Sequence, residues 1–135
     1  MGEERKSAGR ARRAQILIVD DHDLARAGVR RLLRGARNLE VVAEAASGNE
    51  ALDMCRELHP DLVLMDVRLA DMDGLRATRL IKQVAPEIRV LLFTMYEAAD
   101  YIGEALRAGA AGYILKGASR QELLEAINRA LQSEP

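Results

Sequence analysis

Three acids crowd the end of one apolar run. In ILIVDDHD, residues 16 to 23, Asp20, Asp21 and Asp23 follow directly on residues 16–19, and a second apolar run, DLVLMD at 61–66, also ends in an acid, Asp66. Carboxylates brought together repel, and such a group is stable when a hard cation neutralises it. Oxygen-only ligands suit magnesium, which keeps several of its waters. Asp20, Asp21 and Asp66 are therefore the candidate metal ligands. Asp23 has a plainer use as a cap on the following helix, where an acid meets the amino-terminal dipole. The single cysteine, Cys55, shares helical spacing with Ala51, Leu52 and Leu58 and reads as an inert buried thiol.

The elements that must position these acids are legible as a repeat of short apolar runs and amphipathic segments. ILIVD (16–20), LEVVAEA (39–45), DLVLMD (61–66), VLLFT (90–94) and GYILK (112–116) read as five strands. Helical patterns lie between and after them, near residues 23–36, 48–58, 74–84, 97–108 and 120–132. SGNE from Ser47 and SRQE from Ser119 match the capping box, in which Ser and Glu each satisfy a backbone amide of the first helical turn. Strands separated by helices imply right-handed crossovers and a parallel sheet covered on both faces, a doubly wound α/β fold. Ligands of such sheets sit beyond the carboxyl ends of the strands, at the switch point. In the strand order 2-1-3-4-5 the first and third strands are neighbours there, so Asp20, Asp21 and Asp66 converge.

Composition narrows the function classes. With 135 residues and 49% hydrophobic content the chain fits one domain, and a net charge of −1 gives no global basic field for nucleic acid or anionic membrane. Residues 1–14 carry a net +3, which leaves −4 for the remainder. They are expected to form a basic, disordered leader to a domain spanning 15–133. No run approaches the ~20 apolar residues of a membrane span, and no signal peptide is evident. One cysteine excludes an intramolecular disulfide and fits a reducing compartment, so a soluble, cytoplasmic protein is expected.

The ensemble of motifs resembles the receiver domain of two-component response regulators over residues 16 to about 132. VDDH at 19–22, LMDVRLADMDG at 64–74, FT at 93–94 and RAGAAGYILKGAS at 107–119 follow the family order. The spacings agree as well: 45 positions from Asp21 to Asp66, 28 from Asp66 to Thr94 and 22 from Thr94 to Lys116. DDHDLARAGVRRLL and ALRAGAAGYILKGASRQELLEAI are most similar to the receivers of LuxR-type transcription regulators.

The resemblance implies that Asp66 accepts a phosphoryl group from the phosphohistidine of a sensor histidine kinase. It implies a Mg2+ ion bound directly by Asp21, through water by Asp20, and by Asp66 and the backbone carbonyl of Arg68. It further implies that Lys116 and Thr94 contact the phosphoryl oxygens, and that Tyr113 turns inward as Thr94 moves. TMYE from Thr94 also fits a capping box for the fourth helix. The Arg68 and Tyr96 side chains stand where relatives border the pocket. Ala70 and Gly117 replace prolines common in relatives, so a cis bond at Lys116–Gly117 is not assumed.

Output in this family runs through the surface of the fourth helix, fifth strand and fifth helix, commonly by phosphorylation-dependent homodimerisation. In LuxR-type regulators a helix-turn-helix domain follows the receiver. The chain reads as a receiver cut from a longer regulator rather than a free-standing one, with no membrane association and no direct nucleic-acid binding of its own. Arg26, Arg30 and Arg34 form an i, i+4 stripe that reads as a solvated helix face. Three alternatives are weaker. A haloacid-dehalogenase-type phosphatase needs a second acid where Arg68 stands. A flavin-binding sheet needs a phosphate-cradling loop after the first strand. A receiver-fold interaction module acting without phosphorylation would not need the full set of acids with Thr94 and Lys116.

Overall fold

In the computed structural model, which describes residues 12–95 and 99–134, five strands and five helices alternate. They are β1 (Ala14–Val19), α1 (Asp23–Leu33), β2 (Leu39–Ala45), α2 (Gly48–Leu58), β3 (Leu62–Met65), α3 (Gly74–Val84), β4 (Arg89–Thr94), α4 (Ala99–Ala108), β5 (Gly112–Leu115) and α5 (Arg120–Gln132). The strands form one parallel sheet in the order β2-β1-β3-β4-β5. This is the doubly wound α/β fold expected from the sequence.

Strand alternation divides the core between the two faces. Ile16, Ile18, Leu62, Leu64, Leu91 and Phe93 pack with Val29 and Leu33 of α1 and Leu123, Ile127 and Ala130 of α5. Leu17, Val19, Val63, Met65, Val90 and Leu92 pack on the opposite side with α2, α3 and α4. Because both faces are covered, β3 is buried at all four positions, which is why it reads as an unbroken apolar run. Each large apolar side chain so buried contributes about 1.5–3 kcal/mol.

Element ends differ from the sequence reading in ways that matter for the site. β1 starts at Ala14, so the last residue of the expected leader belongs to the sheet, and Arg12 beside it pairs with Asp61 at 3.4 Å. β1, β3 and β5 each stop one residue before the acid or lysine that the apolar runs included. Asp20, Asp66 and Lys116 nevertheless keep the sheet's direction. Their amides donate to Ala45 O (3.1 Å), Val19 O (3.0 Å) and Thr94 O (2.8 Å) of the neighbouring strands.

Helix ends follow capping chemistry with two exceptions. Ser119 and Glu122 complete the capping box of α5. At α2, Ser47 accepts from Glu50 N as expected, but the Glu50 carboxylate takes the amide of Ala46 instead of Ser47 (2.6 Å). The cap assigned to Asp23 is not there: His22 is the N-cap of α1, without a side-chain cap bond, and Asp23 is the first helical residue, paired with Arg26. α1 ends at Leu33 rather than near residue 36, where Arg34 turns extended and Gly35 takes a φ of 86° that favours glycine. The TMYE capping box and Tyr96 fall partly on or within residues 96–98, outside the described residues.

Cys55 is 1% exposed, and burial pushes its thiol up to about 12. Native protein at pH 8 should therefore resist a thiol reagent, while the urea-unfolded chain reacts fully; a native reaction as fast as the unfolded one would contradict this packing.

Candidate functional site

Three positions one step past a strand end gather at the carboxyl edge of the sheet. Lys116 reaches across from β5 to the two central strands, its Nζ donating to Asp20 Oδ2 (2.6 Å) and to Asp66 Oδ2 (3.3 Å). Asp20 is 3% and Asp66 8% exposed, so each carboxylate is largely withdrawn from water. A buried charge is tolerated only with partners. Asp20 has several: besides Lys116, the amide of His22 donates to its Oδ1 at 2.9 Å.

The two acids titrate in opposite directions. Burial would raise Asp20, but the Lys116 hydrogen bond, the His22 amide and the Lys116 charge together hold it below the usual carboxylate range. Burial also raises Asp66, and there it wins: Lys116 is farther away and the Asp20 charge adds to the rise. Burial would lower Lys116, yet its bond to Asp20 and the charge of Asp66 hold the ammonium above its ordinary value. The lysine is thus locked in its charged form, and of the two carboxylates it bridges Asp66 is the less satisfied.

Asp21 and His22 complete the acidic end of the pocket. Ligand atoms of Asp20, Asp21 and His22 all lie within 4.8 Å of one another. Asp66 stands outside that tight set and joins it through Lys116, so the expected convergence of three carboxylates has a lysine at its centre. Asp21 Oδ1 is buried with no hydrogen-bond partner. An orphaned buried carboxylate oxygen beside a second acid fits a hard divalent cation, and the donor set is compatible with magnesium.

Thr94, fully buried, ends β4 beside Lys116. Tyr113 is half-buried in β5, packed against the α2–α4 side of the core. The Arg68 side chain is exposed and, with His22, Ala25, Met95, Asp66 and Lys116, lines the open cleft over the acids. Among the described residues no peptide bond is cis, Lys116–Gly117 included.

Several positioning residues carried no clear signal in the sequence. Arg26, read as part of a solvated stripe, is drawn inward: it donates to the Asp20 carbonyl (2.5 Å) and to Glu44 Oε1 (3.1 Å) and pairs with Asp23. Arg30 also pairs with Glu44. Asp71, in the loop after Asp66, accepts from the amides of Gly48 and Asn49, both at 2.9 Å, and so ties that loop to the start of α2. Gly74 opens α3 directly against the phosphoacceptor candidate: a Cβ there would lie 2.2 Å from Asp66 O and 2.8 Å from Val67 Cα. The i+3 spacing of Arg26 from Asp23 was the one local hint; the pairs with Glu44 and the Asp71 contacts join residues distant in sequence.

Comparison with known proteins agrees with this geometry. The family model described as "Response regulator receiver domain" matches residues 16–128. The chain is 41% identical over 120 residues to the response regulator GacA of Pseudomonas aeruginosa, covering 89% of this chain and 56% of the relative. It is likewise 41% identical over 120 residues to the response regulator protein VraR of Staphylococcus aureus, covering 89% and 57%. The chain thus spans a little over half the length of these curated relatives. Among solved structures, a LuxR-family two-component response regulator from Aurantimonas sp. SI85-9A1 superposes with a TM-score of 0.85 at 42% identity, covering 88% of this chain and 85% of that one. The response regulator domain of Thermotoga maritima CheB gives 0.85 at 32% identity, covering 92% and 100%.

Two stability outcomes follow from the site. Gly74→Ala should cost about 1–3 kcal/mol in urea denaturation, because Asp66 backbone, not a flexible side chain, must yield. Asp66→Asn should do the opposite. A carboxyl raised above its unfolded value favours folding below the unfolded value and loses that contribution as pH rises through the folded one. At pH 7 with EDTA the variant should have a higher urea midpoint than wild type, the gap closing as pH falls through the raised value; a lower midpoint would overturn this account of Asp66.

Proposed function

The chain belongs to the response regulator receiver domain family, and on that premise we propose that it is a phosphoacceptor switch in which Asp66 takes a phosphoryl group from a sensor histidine kinase. The observation that carries this reading is the Lys116 ammonium held between Asp20 and Asp66 at the ends of adjacent parallel strands. Phosphoryl transfer asks chiefly for an aligned acceptor and for positive charge on the equatorial oxygens.

The residues divide that work. Asp66, its charge penalised by burial and by Asp20, gains when one of its oxygens bonds to phosphorus as the phosphorus–nitrogen bond of phosphohistidine breaks. The leaving imidazole nitrogen keeps the electron pair. Lys116, already 3.3 Å from Asp66, is placed to hold a phosphoryl oxygen. Thr94, on the adjoining strand end, is the hydroxyl donor for another. Asp21, Asp20, Asp66 and the Arg68 carbonyl are the groups that would hold Mg2+. When bound, the ion supplies positive charge to the phosphoryl oxygens and offsets the crowded carboxylates.

Phosphorylation adds ~1.5 to 2 negative charges. Recruitment of Thr94 and Lys116 toward them, with reorientation of Tyr113, would repack the surface of α4, β5 and α5. Met95, Ile102 and Leu106 leave apolar side chains exposed there. That surface is proposed as the phosphorylation-dependent homodimer contact. Control of transcription, and any contact with DNA, would belong to a further domain of a longer regulator. No described helix is long and apolar enough to cross a membrane.

Incubation with Mg2+ and acetyl phosphate, followed by intact-mass measurement, should show one phosphoryl adduct, absent in Asp66→Asn and in an EDTA-treated sample. No adduct in a folded wild type would instead favour an interaction module that acts without phosphorylation.

A further inference from the structure

We propose that Asp71 is a positioning residue for the phosphorylation site: it clamps the turn after Asp66 to α2 and so holds the Arg68 backbone at the cleft over the acids. The inference rests on the phosphoacceptor reading given above.

Residues 67–74 form a closed turn. At its base the Gly74 amide donates to Val67 O (2.6 Å), and Arg68 and Asp73 face each other as an isolated antiparallel bridge. Gly74 also packs directly on the Asp66 carbonyl, so the base of the turn and the acceptor residue share one backbone contact.

Three side chains fasten the tip. Leu69 and Met72 pack against the α2–α4 side of the core. Asp71 takes the exposed position between them and reaches the start of α2, where Oδ1 accepts from Gly48 N and Oδ2 from Asn49 N, both at 2.9 Å. Those amides have no acceptor within the helix, and a carboxylate there also meets the positive end of the helix dipole. Two oxygens on two successive amides fix direction as well as distance. Ser47, the N-cap, spends its hydroxyl on Glu50 N, so the first turn of α2 is capped from two separate segments. A second observation matches this close approach. Met72 lies against Gly48, where a Cβ would come 2.5 Å from Met72 Cγ, so glycine at the head of α2 leaves room for the turn.

Position 70 explains what the clamp replaces. Relatives commonly carry proline where Ala70 stands, and a proline ring stiffens a turn from within. Here the stiffness comes from outside, one residue later. Without Asp71 the tip is freer, and the Arg68–Asp73 bridge passes that freedom to the base, at the cleft lined by Arg68, Asp66 and Lys116.

The test separates clamping from capping. Wild type is compared with Asp71→Ala, with Asp71→Ala combined with Ala70→Pro, and with Ser47→Ala, which removes the other cap of α2 and leaves the turn untouched. Three quantities are measured on the whole chain: hydrogen exchange of the Gly74 amide in EDTA, the urea midpoint, and the Mg2+ concentration that half-saturates phosphorylation by acetyl phosphate. Asp71→Ala should speed Gly74 exchange and raise the Mg2+ requirement, each about tenfold. Ser47→Ala should lower the urea midpoint comparably while leaving the other two within about twofold of wild type. Adding Ala70→Pro to Asp71→Ala should restore most of both losses. If Asp71→Ala and Ser47→Ala act alike, or Asp71→Ala leaves either exchange or the Mg2+ requirement unchanged, Asp71 is only a cap of α2 and the inference fails alone. If Ala70→Pro restores nothing, stiffness of the turn is not what Asp71 supplies, and the inference fails as well. If wild type takes up no phosphoryl group, the phosphoacceptor reading fails and the positioning role falls with it.

Discussion

One ammonium answers two buried carboxylates. Because β1 and β3 are neighbours in a parallel sheet, Asp20 and Asp66 must meet beyond their carboxyl ends, and Asp21 follows directly on Asp20. Lys116 satisfies Asp20 closely and Asp66 less well, which separates the two acids into one held low and one raised. The pocket therefore carries more negative charge than it can neutralise from its own side chains. That shortfall is what a divalent cation would make good, and the raised Asp66 is the basis for proposing it as the reacting carboxylate.

The scaffold maintains this arrangement by refusing alternatives. Gly74 lies so near the Asp66 carbonyl that no larger residue fits without moving it. Arg26 grips the Asp20 carbonyl from α1 while pairing with Glu44 on the edge strand. Asp71 ties the loop after Asp66 to the first amides of α2. These contacts hold charges together that would otherwise separate, so the stability of the apolar core is partly set against the needs of the site.

Burial is uneven across the sheet, and the unevenness matches the proposed division of labour. β3, which leads into the proposed acceptor Asp66, is buried throughout, whereas β5 is only half-buried along its length. Lys116 and Tyr113 thus belong to the less constrained edge, next to α4 with its exposed Ile102 and Leu106. A rigid centre and a looser edge are what a switch needs if charge added at Asp66 is to be read at the surface.

Much of this architecture is written locally. Apolar runs of five to seven residues, helical spacing between them and capping residues such as Ser119 and Glu122 are short-range patterns, so the order of elements and the doubly wound fold can be inferred from the sequence. The family motifs likewise pick out Asp20, Asp21, Asp66, Thr94 and Lys116 by spacing. What spacing could not reveal is which partners those side chains take: that Lys116 divides its hydrogen bonds unequally, that Asp21 Oδ1 is left alone, that His22 rather than Asp23 caps α1, or that Arg26 turns inward. Each depends on the distance between groups from separate elements, fixed only when the sheet closes and the helices dock. Hydrophobic periodicity acts over a few residues and survives in the sequence; electrostatic pairing falls within a few ångströms of three-dimensional space, and the chain must fold before those ångströms exist.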